Sequence, residues 1–257
     1  MNRIISMLLS VLSVFVVFLP FGNPISDFLV TKSSEIYIEE NYGDKDFTVD
    51  EAVYDFKTGN YYVNIVSPSS PDSSFTLYAD MKGNIGYDTY ESAVLKKWNT
   101  ASRIDDAYRE SVDKLLDSGK ITFEIDFGFG EIMFRESDAA VDESIPAYAI
   151  STEELVLDGV YDTAEMGKRA GKLTVYFYDN SVTAEKMAEI LLAIRSTADG
   201  EGVCFKAVDC VLQSRRSEAV LSVSGFMYDD IYEQDIVERI NENVRNTAST
   251  GDKENPV

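Results

Sequence analysis

The chain contains no histidine. That absence removes every Ser-His and Cys-His nucleophile pair and every imidazole-ligated metal site. Cysteine is nearly as scarce, with Cys204 and Cys210 the only two in 257 residues. Both fall within Val203–Leu212, which reads as one strand, where six residues at ~3.3 Å each separate them by about 20 Å. A disulfide needs Cα atoms within about 7 Å, so the pair bridges only if the segment folds back. The first reading is two small apolar side chains in a sheet, with a redox or intermolecular role as the alternative. Positive charge is also short: 23 Lys and Arg stand against 45 Asp and Glu, for a net charge of −22. This argues against electrostatic binding to nucleic acid or anionic lipid headgroups. Glycine signatures for phosphate or dinucleotides are missing too. Gly128-Phe129-Gly130 has neither a following Lys-Ser/Thr nor a third glycine opening a helix, and reads as a bulge or bend.

What the sequence does have begins near its start. No charge occurs between Arg3 and Asp27, and Ile4–Leu19 is almost wholly apolar. The run continues through Pro20 and Phe21, between the length of a signal-peptide core and that of a full span. The exit, Pro20-Phe21-Gly22-Asn23-Pro24, lacks the small residues of a cleavage site, and no cysteine follows to accept a lipid. The expectation is an uncleaved signal-anchor over residues 4–21, with residues 1–26 forming a cytoplasmic n-region plus transmembrane segment. A cleaved signal and a buried core helix are the alternatives. Arg3 on one side and an acidic body on the other place the first residues in the cytoplasm and the body outside it.

The body reads as two halves, 27–118 and 119–257, each folding on its own core. The first holds 18 acidic and 9 basic residues and the second 27 and 13, so the charge is a general surface property. In the first half, Lys32–Tyr42 reads as a short helix. Phe47–Lys57, Tyr61–Ser67, Ser74–Asp80 and Ile85–Tyr87 read as strands separated by Thr58-Gly59-Asn60, a Pro/Ser loop and Lys82-Gly83-Asn84, which implies an antiparallel meander. From Tyr90 to Leu116, Val94, Trp98, Ala101, Ile104, Tyr108, Val112 and Leu115 trace one stripe at helical period, with Trp98 as a core residue. This long helix is expected to back the meander or to lead away from it.

The second half opens on Ile121, Phe123, Ile125, Phe127 and Phe129, which alternate with polar residues and glycine and imply a ribbon with one apolar face. Glu154–Leu157 reads as a short strand, Asp162 opens a short helix, and Leu173–Tyr178 is a central strand. A helix after Ser181 or Thr183, two more strands and a last helix from Asp230 complete it. Helices and strands interleave without a long parallel pattern, so both halves are expected to be α+β.

The order of helix, meander and long helix resembles PepSY-like modules. More closely, YIEENYGDKDFTVDEAVYDFKTGNYYVNIVSP at Tyr37–Pro68 resembles the N-terminal domain of the YfjL-like proteins of Gram-positive bacteria. ELVLDGVYDTAEMGKRAGKLTVYFYDNSVTAEKMAEILLAIR at Glu154–Arg195 resembles that family's C-terminal domain. The resemblance implies a membrane-anchored protein with two α+β domains, and it carries no activity. The PepSY likeness implies, by analogy of fold alone, a binding or inhibitory role.

Candidate chemistry is thin. Asp44 and Asp46 form a DxD pair, but a calcium loop counted from Asp44 would place Val49 where glycine is needed and Asp55 where glutamate is needed. Glu124 and Asp126 share a strand face and could serve a hydrolase, as paired carboxylates do in glycosidases. Tyr54, Phe56, Tyr61, Tyr62, Phe75, Tyr78, Tyr87 and Tyr90 crowd the meander; three or more in the open would form a binding surface for peptide or glycan. No catalytic, cofactor or metal residue is assigned. The expected function is a non-enzymatic, membrane-tethered binding or regulatory module on the outer face, with an extracytoplasmic protein or peptide as partner. Alternatives are a carboxylate-dependent hydrolase at the cell envelope and a structural envelope component.

Overall fold

In the computed structural model, residues 23–136 and 145–251 are described. The expected span at residues 4–21 lies outside them. Among the described residues no helix is long and apolar enough to cross a membrane. The chain forms two units of mixed α and β structure. The first comprises the chain up to Thr100 together with Leu155–Gly159, and the second comprises Ala101–Glu154 and everything from Val160 onward.

The first unit starts with α1 (Pro24–Tyr42). The expected helix began at Lys32, and the expected domain began at residue 27; both starts fall inside α1. The reason is local. Asn23 caps the helix by accepting from the Ile25 and Ser26 amides at 3.1 and 2.9 Å, Pro24 occupies the first turn, and Asp27 adds negative charge there.

Five strands follow: β1 (Thr48–Val49), β2 (Val53–Asp55), β3 (Asn60–Ser67), β4 (Ser70–Ala79) and β5 (Ile85–Asp88). All pairings are antiparallel, in the order β1-β3-β4-β5, with β2 also on β3. The single strand expected over Phe47–Lys57 is thus two short ones. Strand alternation turns Tyr61, Val63, Ile65, Phe75, Leu77 and Ala79 inward, where they meet Val30 and Ile38 of α1. Tyr42, Phe47, Phe75 and Tyr90 form a ring cluster with centroids 4.7–6.1 Å apart.

The helix that covers this sheet is therefore α1, not the long helix expected to back it. That helix is also interrupted. A π-helical turn at Glu91–Leu95 ends at Lys96, Lys97 takes a left-handed backbone with φ 59°, and α2 (Trp98–Leu116) begins after it. A lysine at positive φ breaks the hydrogen-bond ladder although the apolar spacing runs on through it. Val94 stays in the first core, and Trp98 is partly buried rather than wholly core. The division between units falls between Thr100 and Ala101, so the boundary expected at 118/119 lies inside the second unit.

The second unit is built on a four-stranded sheet ordered β11-β10-β9-β6, from β6 (Glu124–Ile132), β9 (Gly171–Tyr178), β10 (Ala207–Gln213) and β11 (Val220–Met227). The outer pairings are antiparallel. The central β9–β10 pair is parallel, and α4 (Ala184–Glu201) makes the crossover between them. A small parallel pair, β7 (Phe134–Arg135) with β8 (Ile150–Ser151), stands apart. Where a strand was expected at Glu154–Leu157, a 3-10 turn at Thr152–Glu154 leads into the segment that joins the first unit. Helices α3 (Thr163–Ala170) and α5 (Ile236–Gly251) complete the unit.

The bulge or bend expected near the glycines of β6 is found just before them. The register shifts between Ile125 and Phe127, so Asp126 is the extra residue of a bulge. Beyond it the faces exchange. Ile125 pairs with the buried Phe177, but Gly128 and Gly130 pair with the buried Val175 and Leu173, while Phe127 turns outward at 57% exposure. The glycine face takes the stripe of α2. A Cβ on Gly130 would lie 2.4 Å from Val112 Cγ2, and one on Gly128 would lie 2.7 Å from Leu116 Cδ1.

Candidate functional site

The open face of the first sheet carries the most distinctive surface. Register places Val53 opposite Tyr62, Tyr62 opposite Tyr78, and Tyr78 opposite Tyr87, so one row crosses four strands. These side chains alternate with the inward set and cannot reach the core without a one-residue slip of the whole strand. The Tyr78 and Tyr87 rings stack at 4.5 Å with 13° between planes. Cross-strand aromatic pairs of this kind stabilise a sheet by roughly 0.2–1 kcal/mol each. Tyr87, on the edge strand, is 59% exposed, and Tyr62 and Tyr78 are partly exposed. The next row holds Asn64 opposite Thr76. No member of either row is charged, in a chain of net charge −22. Rigid rings with hydroxyl tips offer a partner large contact area at low entropic cost.

Two acidic anchors hold the rest of the first unit. Asp88 Oδ2 accepts from the Tyr37 and Tyr42 hydroxyls at 2.7 and 3.1 Å, while Oδ1 accepts from the Tyr90 amide at 2.9 Å. The bond to Asp88, reinforced by burial, pushes the Tyr37 phenol up to about 12. Burial and then the same carboxylate raise Tyr42 as well. These contacts tie α1 to β5. Asp72, 2% exposed, and Asp158 form a reciprocal clasp. The Asp158 amide donates to Asp72 Oδ2 at 3.0 Å and the Asp72 amide donates to Asp158 Oδ1 at 2.9 Å. Thr100 Oγ1 donates to Asp72 Oδ2 at 2.7 Å, and Ser70 Oγ to Asp158 Oδ2 at 2.6 Å. Both carboxylates accept bonds from backbone and hydroxyl donors, which makes the pair a fastening rather than an acid–base dyad. The sequence reading missed Asp158. Its one local signal is the Asp158-Gly159 turn dipeptide, since its partners are 86 and 88 residues away.

The second unit has a cleft of about 320 Å³ between α2, the start of α3 and the exit of α4. Tyr108, Ser111, Thr163, Glu201 and Cys204 are on its walls. Tyr108 donates its hydroxyl to the Cys204 carbonyl at 2.9 Å, and burial raises its pKa strongly. The Cys204 thiol is also pushed up, burial leading, which keeps it protonated and a poor nucleophile. Lys120 pairs with Glu201 at the rim, and Lys114 pairs with Glu110 at 2.7 Å. The cleft has room for a small molecule.

The residues singled out in the sequence do not converge. Glu124 is held by Arg215, whose guanidinium lies 3.8 Å from the Tyr178 ring centroid. Asp126 sits on the bulge, 3.4 Å from Gln213 Nε2. Asp46 accepts from Ser67 at 2.8 Å, and hydroxyl bonds from Ser69 and Ser67 hold its carboxyl below the usual range. Cys204 and Cys210 are free thiols; Cys210 is buried in β10 and Cys204 lies before that strand begins. Among the described residues no three His, Cys, Asp or Glu side chains are grouped to hold a metal ion. Of the eight aromatics named in the meander, Tyr62, Tyr78 and Tyr87 are the ones brought together on the open face.

Comparison with known proteins agrees with the two-part organisation. Residues 1–89 match the model of the YfjL-like N-terminal domain, and residues 107–241 match that of the YfjL-like C-terminal domain. No curated protein and no solved structure matches the chain.

Proposed function

Since the chain belongs to the YfjL-like family, with one domain of that family in each half, we propose that it is a non-enzymatic binding module tethered to the outer face of a Gram-positive cell membrane. The observation that carries the binding role is the row Tyr62, Tyr78 and Tyr87 on the open sheet face, flanked by Asn64 and Thr76. An uncharged aromatic row on an acidic chain favours a partner recognised by ring contact and hydrogen bonds rather than by salt bridges. An extracytoplasmic protein or peptide fits that chemistry.

The tether rests on the sequence. The uncharged run at residues 4–21, with Arg3 before it and acidic residues after it, supports a single span with the body outside. Protease added to intact protoplasts should degrade the body and leave a short membrane stub. A protected body, or a secreted form starting near Asn23–Asp27, overturns the tether. A photo-crosslinking residue replacing Tyr78 or Tyr87 in intact cells tests the binding face. A discrete adduct is expected there and none at the exposed Glu189 on the second unit; no adduct at either tyrosine position sinks the binding reading.

A further inference from the structure

The outer side of α1 is apolar where a surface helix should be polar. Ile25, Phe28, Leu29, Lys32 and Ile36 recur at the first, fourth, fifth, eighth and twelfth positions of one helical stripe, opposite the buried Ser26, Val30 and Ser34. Ile25 and Phe28 are 72% and 69% exposed, and Leu29 and Ile36 are 40% and 46% exposed. The helix cannot roll to hide them. The Asn23 amide donates to the Tyr61 hydroxyl at 3.1 Å, and Tyr37 and Tyr42 are bonded to Asp88. Gly83 of the β4–β5 turn comes so close that a Cβ there would lie 2.9 Å from the Leu29 carbonyl oxygen. The stripe is thus fixed facing away from its own sheet.

We infer that the first two turns of α1 lie in the headgroup layer of the bilayer, with Ile25, Phe28 and Leu29 turned toward the acyl boundary. This rests on the tether proposed above. Three features of the chain select lipid as the occupant. The apolar run ends at Phe21, and two further residues of chain reach at most about 7 Å, which is the depth of a headgroup layer. Phe and Leu on one stripe are the residue types that settle at this depth. Charge is graded along the helix: the exposed apolar residues crowd its first half, where Asp27 and Lys32 are the charged residues and offset one another, while Glu35, Glu39 and Glu40 follow in its second half. A chain of net charge −22 is repelled by anionic lipid, so close seating on the membrane depends on apolar contact. The consequence is a fixed presentation. The sheet of the first unit is fastened to a helix seated in the membrane surface, so its tyrosine row is held at a set height and angle instead of swinging on a linker.

The test uses the full-length protein in phosphatidylcholine vesicles, with Cys204→Ser and the fully buried Cys210 retained. Nitroxide labels are placed singly through Leu12→Cys, Ile25→Cys, Phe28→Cys and Glu40→Cys. Power saturation then compares collision with oxygen, which partitions into lipid, and with a water-soluble nickel chelate. Labels at 12, 25 and 28 should collide severalfold more with oxygen than with nickel, and the label at 40 should show the reverse. A label at 12 in lipid with 25 and 28 as nickel-accessible as 40 overturns the interfacial seating and leaves the tether standing. Nickel access at 12 overturns both. Shielding of 25 and 28 from both reagents means that protein covers the stripe, and this also overturns the inference.

Discussion

Asp88 illustrates how a single carboxylate organises the first unit. It accepts two phenol protons and one backbone amide, and so joins α1, β5 and the turn that follows. The pKa of Tyr37 rises from its ordinary 10 to about 12 because the neutral phenol donates to Asp88 while a phenolate would face that charge. The folded state therefore holds this proton more tightly than the unfolded state. The stabilisation is complete below pH ~10 and is lost as pH rises from ~10 through ~12. The phenolate absorbance of the wild type minus that of Tyr37→Phe should develop with a midpoint near 12. A midpoint near 10 would show that the bond to Asp88 does not hold the phenol.

Helix α2 on strand β6 shows the same dependence between elements. Gly128 and Gly130 remove the side chains that would otherwise separate strand from helix, and Val112, Leu116 and the Tyr108 ring occupy the space. Adding a methyl group at Gly130 puts its Cβ 2.4 Å from Val112 Cγ2, so either the helix or the strand must move. Gly130→Ala should cost roughly 1–3 kcal/mol, the usual range for overpacking a closed core. Gly200, on α4, has nothing within 4 Å of the added carbon. Gly200→Ala should stabilise by about 0.5–1 kcal/mol through helix propensity. Urea unfolding of the two variants checks the pair, and equal effects of the same sign would refute the close approach. The stripe of α2 was legible from spacing alone. Its destination was not, because the bulge at Asp126 reverses which face of β6 is buried: the nearby glycines signalled a bulge or bend, but not the residue at which the faces exchange.

At the scale of the whole molecule, the two units are interleaved along the chain. Leu155–Gly159 is separated in sequence from the unit it completes: Leu157 packs against the first core and Asp158 closes the clasp with Asp72. A fragment ending at Ser118, where sequence alone would cut, lacks both. Its Asp72 cannot make the two bonds to Asp158, and the core surface that Leu157 covers is open to water. Unsatisfied buried groups cost about 1–3 kcal/mol each. The fragment should therefore unfold at clearly lower urea than the same unit in the full chain, and Asp72→Ala should destabilise the full chain more than the fragment. Equal stability of the two forms would mean that the clasp contributes nothing.

The sequence by itself determined what depends on neighbours a few residues away. The alternation and turns of Tyr61–Tyr87 specified an antiparallel sheet, helical spacing specified the stripes of α2 and α4, and Asp162 marked the start of α3. The absence of histidine closed off whole classes of chemistry before any fold was known. The candidate site was half legible: Tyr62, Tyr78 and Tyr87 stood among eight aromatics, but their alignment is a property of strand register. Tertiary structure alone decided that alignment, the covering of the first sheet by α1, and the fastening of Asp158 to a strand 86 residues earlier. Each is a contact between distant segments. Such contacts are chosen by shape and burial once the chain has folded back on itself, and no local pattern encodes the partner.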